Sequence, residues 1–282
     1  MAVEFLGTLF AGDNRTGASR LVGVGHADRY NPITSGQLTG SGLYANIHSA
    51  DLVTTAEADG NVVFLKNDDF SGPFAQASDA ASTGDAWWHI SGHIGSVISV
   101  AGNKKGKKET RLSFHDQFLD QWKTFLDGAL AGSRASREGE PTLTWEMFPA
   151  AVSFLDPNHT YLKIYQPLHI SMPWPFSDYA ASMTYHIQLF VDGNHHLRAW
   201  GARWAWWVES GIKSGHIGDS LGPQVQSGLQ TLIDQVNAKI SVLDALGAVS
   251  DVYYLPGRQL SRIGTGFITG NTNDDVTIVV EH

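Results

Sequence analysis

The chain has 282 residues and a mass of 30.6 kDa, with 42% hydrophobic, 17% charged and 11% aromatic residues, which excludes a disordered or collagen-like polymer. Its formal charge is −9, and residues 1–100 carry 4 basic and 10 acidic residues against 15 and 18 in the remainder, so nucleic acid is excluded as the main partner. With no cysteine there are no disulfides, thiolate metal sites or cysteine nucleophile; no apolar run is long enough for a membrane-spanning helix. Met1–Gly7 shows no secretory signal, which leaves compartment and oligomeric state open, with secretion as one expectation.

In chain order, the first hundred residues repeat themselves. Phe10-Ala-Gly-Asp13-Asn14-Arg15-Thr16-Gly17 and Leu65-Lys-Asn67-Asp68-Asp69-Phe70-Ser71-Gly72 each run from an apolar strand end, through a polar hairpin, to a glycine suited to φ > 0. A serine follows each glycine, Ser49 after 32 residues and Ser96 after 24, at the start of a further strand. Two copies of a four-strand unit predict a Greek-key β-sandwich.

This pattern resembles the βγ-crystallin domain, whose motif has an aromatic, a second aromatic five residues on, then x-Gly, with a later serine over the hairpin. The resemblance covers residues 3–100. Leu65 stands in place of the first aromatic in the second copy, and Arg15 in place of the second aromatic in the first. It implies calcium sites built on paired Asx residues, but of those stretches only Asn46, Ser49 and Ser96 remain. The serines are therefore expected to be structural and calcium binding lost.

Beyond this unit, Lys104, Lys105, Lys107, Lys108 and Arg111 read as a solvated basic loop, with contact to anionic lipid headgroups as the alternative. Leu112, His115, Phe118, Leu119, Trp122, Phe125 and Leu126 then mark an amphipathic helix. Strands are predicted over Thr142–Phe148, Tyr161–Pro167 and Met183–Val191, with a hairpin turn at Asp192-Gly193-Asn194. Strict alternation after the turn puts Arg198, Trp200, Trp204 and Trp206 on one face, the candidate ligand-binding surface. A helix striped by Val225, Leu229, Leu232, Val236, Ile240 and Leu243 follows, with Pro223 in its first turn, and then strands at Val252–Leu255, Ile263–Ile268 and Val276–Val280. In element order alone, this part is similar to the tubular lipid-binding class, where a curved sheet wraps one long helix.

Gly218-Asp219-Ser220-Leu221 spells an esterase nucleophile block, but its position favours a helix N-terminal turn. His89 and His93 lack a third ligand, so no metal, cofactor or catalytic residue is assigned. Trp174, inside Met172-Pro-Trp-Pro-Phe176, joins Trp87, Trp88, Trp145 and the hairpin tryptophans in an aromatic set larger than one core needs.

The expectation is a strand-rich α+β protein with a Greek-key β-sandwich over 1–102 and, over 103–282, an antiparallel sheet packed on a long helix. Its function is read as non-enzymatic binding of an apolar small molecule, a lipid or a membrane surface, as in a toxin-like factor. The alternatives are a lipid or glycan hydrolase with an accessory sandwich, and a structural or stress-type protein.

Overall fold

The computed structural model describes residues 3–25, 29–52, 58–78, 93–104, 106–147, 160–211, 214–260, 266–271 and 275–282. The first half contributes β1 (Val3–Gly12), β2 (Thr16–Gly25), β3 (Tyr30–Ile33), the short α1 (Ser35–Gly40), β4 (Ser49–Leu52), β5 (Ala58–Leu65), β6 (Pro73–Ser78) and β7 (Ser96–Lys104). Two sheets form from these, one ordered β2-β1-β4 and one ordered β6-β5-β7-β3, all antiparallel.

The two sheets share one local arrangement around a hairpin. Phe10 sits opposite Ser49, and Leu65 opposite Ser96. Ser49 Oγ donates to the Gly12 carbonyl (2.7 Å) and accepts the Arg15 amide (3.0 Å), while Ser96 Oγ donates to the Asn67 carbonyl (2.6 Å). The glycines closing the hairpins, Gly17 and Gly72, have φ of 81° and 86°, where a side chain would be strained. Both serines thus brace folded hairpins. An apolar layer containing Leu9, Val22, Ile33, Leu38, Leu52, Phe64, Ala75 and Val97 is buried between the sheets.

The second half contributes β8 (Glu109–Ser113), α2 (Phe114–Leu130), β9 (Ala135–Arg137), β10 (Thr142–Met147), β11 (Thr160–Ile170), β12 (Tyr179–Val191), β13 (Leu197–Val208), α3 (Ser214–Ile240), β14 (Asp251–Pro256), β15 (Gly266–Asn271) and β16 (Val276–Glu281). The sheet β10-β11-β12-β13 carries β9 beside β11, and a smaller sheet runs β14-β16-β8. The protein is a strand-rich α+β structure.

Strand β15 pairs with β6, so a late segment extends the sheet of the first half. Arg29, just before β3, reaches Asp251 (2.7 Å) and the fully buried Glu281, and stacks over the Tyr253 ring at 4.9 Å. One apolar cluster runs from Tyr30, Leu65 and Phe74 through α2 and α3 to Val279.

Helix α2 begins where Ser113 accepts the Asp116 amide (3.1 Å) and Asp275 accepts the His115 amide (2.9 Å), two partners for amides that a helix start leaves free. Leu112, expected in this helix, therefore lies on β8. α2 buries Phe118, Trp122 and Leu126, and the Trp122 ring stacks on Tyr185 of β12 at 6.2 Å. Next to it, α3 approaches so closely that a Cβ at Gly228 would lie 2.5 Å from the Phe125 ring.

Four local expectations are corrected. Pro223 lies inside α3 rather than in its first turn, because helical backbone already begins at Ser214. Gly218–Leu221 is likewise interior to that helix and not an N-terminal turn. At the β12–β13 turn the positive φ belongs to His195 (61°), since the Asp192 carboxylate accepts the Asn194 (2.8 Å) and His196 (3.0 Å) amides and moulds the turn from its first residue. Arg111 leaves the basic loop: its side chain is buried on β8 and pairs with Glu109 at 3.0 Å.

Candidate functional site

Strand β13 carries the residues singled out in the sequence, and its register with β12 decides where they point. Arg203 is opposite His186 and Gly201 opposite Ile187, so Ala202 is an extra residue, a β-bulge. One inserted residue reverses the alternation. Trp204 and Trp206, opposite Tyr185 and Met183, face the helices and pack half-buried against the core. Trp200, opposite Gln188, faces outward and is 49% exposed, as is Trp207 at 56%, opposite Ser182. The shared face expected for Trp200, Trp204 and Trp206 is therefore split.

Helix α3 runs along the inner side of β13. Gly222 lies beneath Trp204, Ile233 packs at Gly201, and a Cβ at Gly201 would collide with Tyr185 Oη at 2.1 Å. The Asn237 side chain accepts the Ala199 amide (2.7 Å) and donates to the Ala199 carbonyl (3.1 Å), standing in for a neighbouring strand on this edge.

Arg198 is committed elsewhere. Its guanidinium contacts Asp244 (3.2 Å) and Asp192 (3.4 Å) and donates to His196 Nδ1 (2.8 Å). Asp192 is held below its ordinary pKa chiefly by the His196 amide, against an opposing desolvation, with the Asn194 amide and the Arg198 charge adding to the depression. This cluster ties the hairpin turn to the segment after α3.

The outer face of the sheet carries a polar row at its centre. His186 Nε2 meets Glu146 at 2.6 Å and Lys163 Nζ reaches the same carboxylate at 3.2 Å. Burial alone would push the Glu146 carboxyl up, but the His186 hydrogen bond and the Lys163 and His186 charges outweigh it, and its pKa lies below the ordinary value. Tyr165 lies one cross-strand row further towards the β11–β12 turn, opposite Thr184, and Trp207 lies in the row after that, both exposed.

At that end of the sheet, residues 171–178 join β11 to β12 and present Met172-Pro173-Trp174-Pro175-Phe176. Trp174 is 93% exposed and Phe176 39%, while Met172 packs back against the core. Three hydrogen bonds hold the turn: Ser171 donates to the Arg134 carbonyl (3.0 Å), Met172 to Asp178 Oδ1 (2.7 Å) and Phe176 to the Pro173 carbonyl (3.0 Å). Asp178 also pairs with His169 Nε2 at 3.2 Å. The legible signal for this site was an aromatic residue between two prolines.

The remaining candidates are not brought together. His93 packs edge-on against Tyr44 at 5.3 Å, and His89, Trp87 and Trp88 lie outside the described residues, as do the side chains of Asp219 and Ser220. His282, the only histidine after the Gly218–Leu221 block, contacts Thr110 Oγ1 (3.2 Å) and the Gly247 carbonyl (3.3 Å). Among the described residues no group of three His, Asp or Glu side chains is placed to hold a metal ion, and no described helix is long and apolar enough to cross a membrane. Compared with protein-family models, curated proteins and solved structures, the chain matches none.

Proposed function

We propose that this protein binds lipid surfaces without catalysing a reaction, and that the β11–β12 turn is its contact element. The observation that carries this reading is the 93% exposure of Trp174 in a turn whose backbone is internally hydrogen-bonded. An indole buries roughly 150–250 Å², which at about 25 cal/mol per Å² is on the order of 4–6 kcal/mol for complete transfer out of water. A turn already folded by its own hydrogen bonds has less to order on binding, so more of that gain remains. Phe176 beside it, and Trp207 and Tyr165 on the adjoining face, extend the apolar area.

We further infer that residues 3–100 form two Greek keys of the βγ-crystallin type that support the second half. The matching strand orders, the passage of β3 into the sheet of β5–β7, and the equivalent serine and glycine positions favour it. The boundary near residue 102 belongs to the same reading.

Co-sedimentation with liposomes tests the membrane reading. The full chain is expected in the pellet with vesicles of mixed phosphatidylcholine and phosphatidylglycerol, and in the supernatant without them. Protein that stays in the supernatant with every composition overturns it.

A further inference from the structure

Residues 171–176 have an unusual supply of backbone donors. Pro173 and Pro175 have no amide hydrogen, and the Ser171, Met172 and Phe176 amides are bonded within the protein. Trp174 keeps the one amide of this stretch that has no partner among the described residues. A segment resting at the headgroup boundary tolerates a lone free amide, which water there satisfies, whereas a strand recruited by another protein needs a row of free amides to pair. The donor supply therefore fits lipid better than a polypeptide partner.

Charge narrows the lipid. No lysine or arginine occurs between Lys163 and Arg198, and the acids in that span are Asp178 and Asp192. Around the turn stand exposed Arg134, Asp178 paired with His169, and Glu209, whose carboxylate accepts the Ala180 amide at 3.3 Å. Arg137, on the strand beside β11, is engaged by Asp127 at 2.6 Å. These charges nearly cancel, and the whole chain is at −9. Polybasic segments attract anionic headgroups; among the described residues this end of the molecule shows no such segment.

Resting on the lipid-surface reading above, we propose that Pro173–Phe176 inserts at the headgroup–acyl boundary of a zwitterionic bilayer. Asp178, hydrogen-bonded to the Met172 amide and exposed, marks how deep the turn can go, because a carboxylate is costly to take out of water. Trp174 enters first, with its ring at the level where indoles prefer to sit.

The test uses the full chain and Trp174→Ala, with binding followed by sedimentation and tryptophan emission on two vesicle compositions. These are phosphatidylcholine alone, and phosphatidylcholine partly replaced by phosphatidylglycerol. The wild type is expected to bind both within about threefold, independently of added salt, with blue-shifted emission. A quencher attached near the lipid headgroup should remove the component missing from the variant. Trp174→Ala should bind about 10- to 100-fold more weakly while melting like the wild type, since the ring touches little of the protein. Binding that rises with phosphatidylglycerol and dissolves in salt overturns the zwitterionic assignment and leaves the lipid-surface reading standing. Unaltered binding by Trp174→Ala overturns insertion of this turn, again leaving that reading. Absence of binding to both compositions removes the lipid-surface reading itself.

Discussion

Ser96 has its hydroxyl wholly inside the protein, where it donates to the Asn67 carbonyl at 2.6 Å and helps to hold the hairpin closed by Gly72. Replacing it with alanine leaves that carbonyl without its donor, at a cost of about 1–3 kcal/mol. Urea unfolding of Ser96→Ala should show this loss at an unchanged m-value; a change below about 0.5 kcal/mol would mean that water replaces the hydroxyl. Glu146 gives a pH-dependent case. Its carboxyl is depressed below the ordinary 4.5 despite burial, through His186 and Lys163, so it stabilises the fold above the unfolded-state value. That contribution disappears as pH falls below about 4.5 and through the lower folded-state value. Thermal melts of Glu146→Gln should therefore show a shallower decline than the wild type below that pH. An identical acid limb would remove Glu146 as a contributor.

At the scale of elements, β13 is a twelve-residue edge strand rich in tryptophan, the kind of edge that invites pairing with another chain. Asn237 blocks it at Ala199 by satisfying both backbone groups. In Asn237→Leu the helical stripe stays apolar but those two groups lose their partners. The variant should lose about 1–3 kcal/mol and show a concentration-dependent oligomer by sedimentation velocity. A stable, strictly monodisperse variant would show that α3 protects the edge by coverage alone. The neighbouring bulge at Ala202 matters as much, since it turns Trp200 outward and Trp204 inward on one continuous strand.

The whole molecule is joined by charge, by a sheet and by a core. Arg29 pairs with both the fully buried Glu281 and Asp251, β15 lengthens the sheet of β5 and β6, and a single apolar cluster crosses between the halves. Removing one member of a buried ion pair strands the other charge and costs about 3–5 kcal/mol. Arg29→Met should lower stability by that order. Calorimetry of the wild type should show one cooperative transition, with calorimetric and van't Hoff enthalpies equal. Two resolved transitions would instead show that 1–102 and 103–282 unfold independently.

Much of this protein follows from local sequence rules. The glycine and serine repeat at 17, 49, 72 and 96 marked two alike hairpins, because φ > 0 and a buried hydroxyl are requirements of a few residues and their immediate neighbours. The apolar stripes of α2 and α3 were equally visible, as both helices bury one face. Tertiary structure alone decided the rest. The start of α2 depends on Asp275, and a helix cap supplied from the far end of the chain leaves no nearby trace. The bulge at Ala202 depends on pairing with β12, so strict alternation placed Trp200 on the wrong face. Arg198 looked available for a ligand until Asp192, Asp244 and His196 closed around it. The aromatic turn at Trp174 was legible as composition, but its exposure was not, because burial is a property of the packed surroundings and not of the ring.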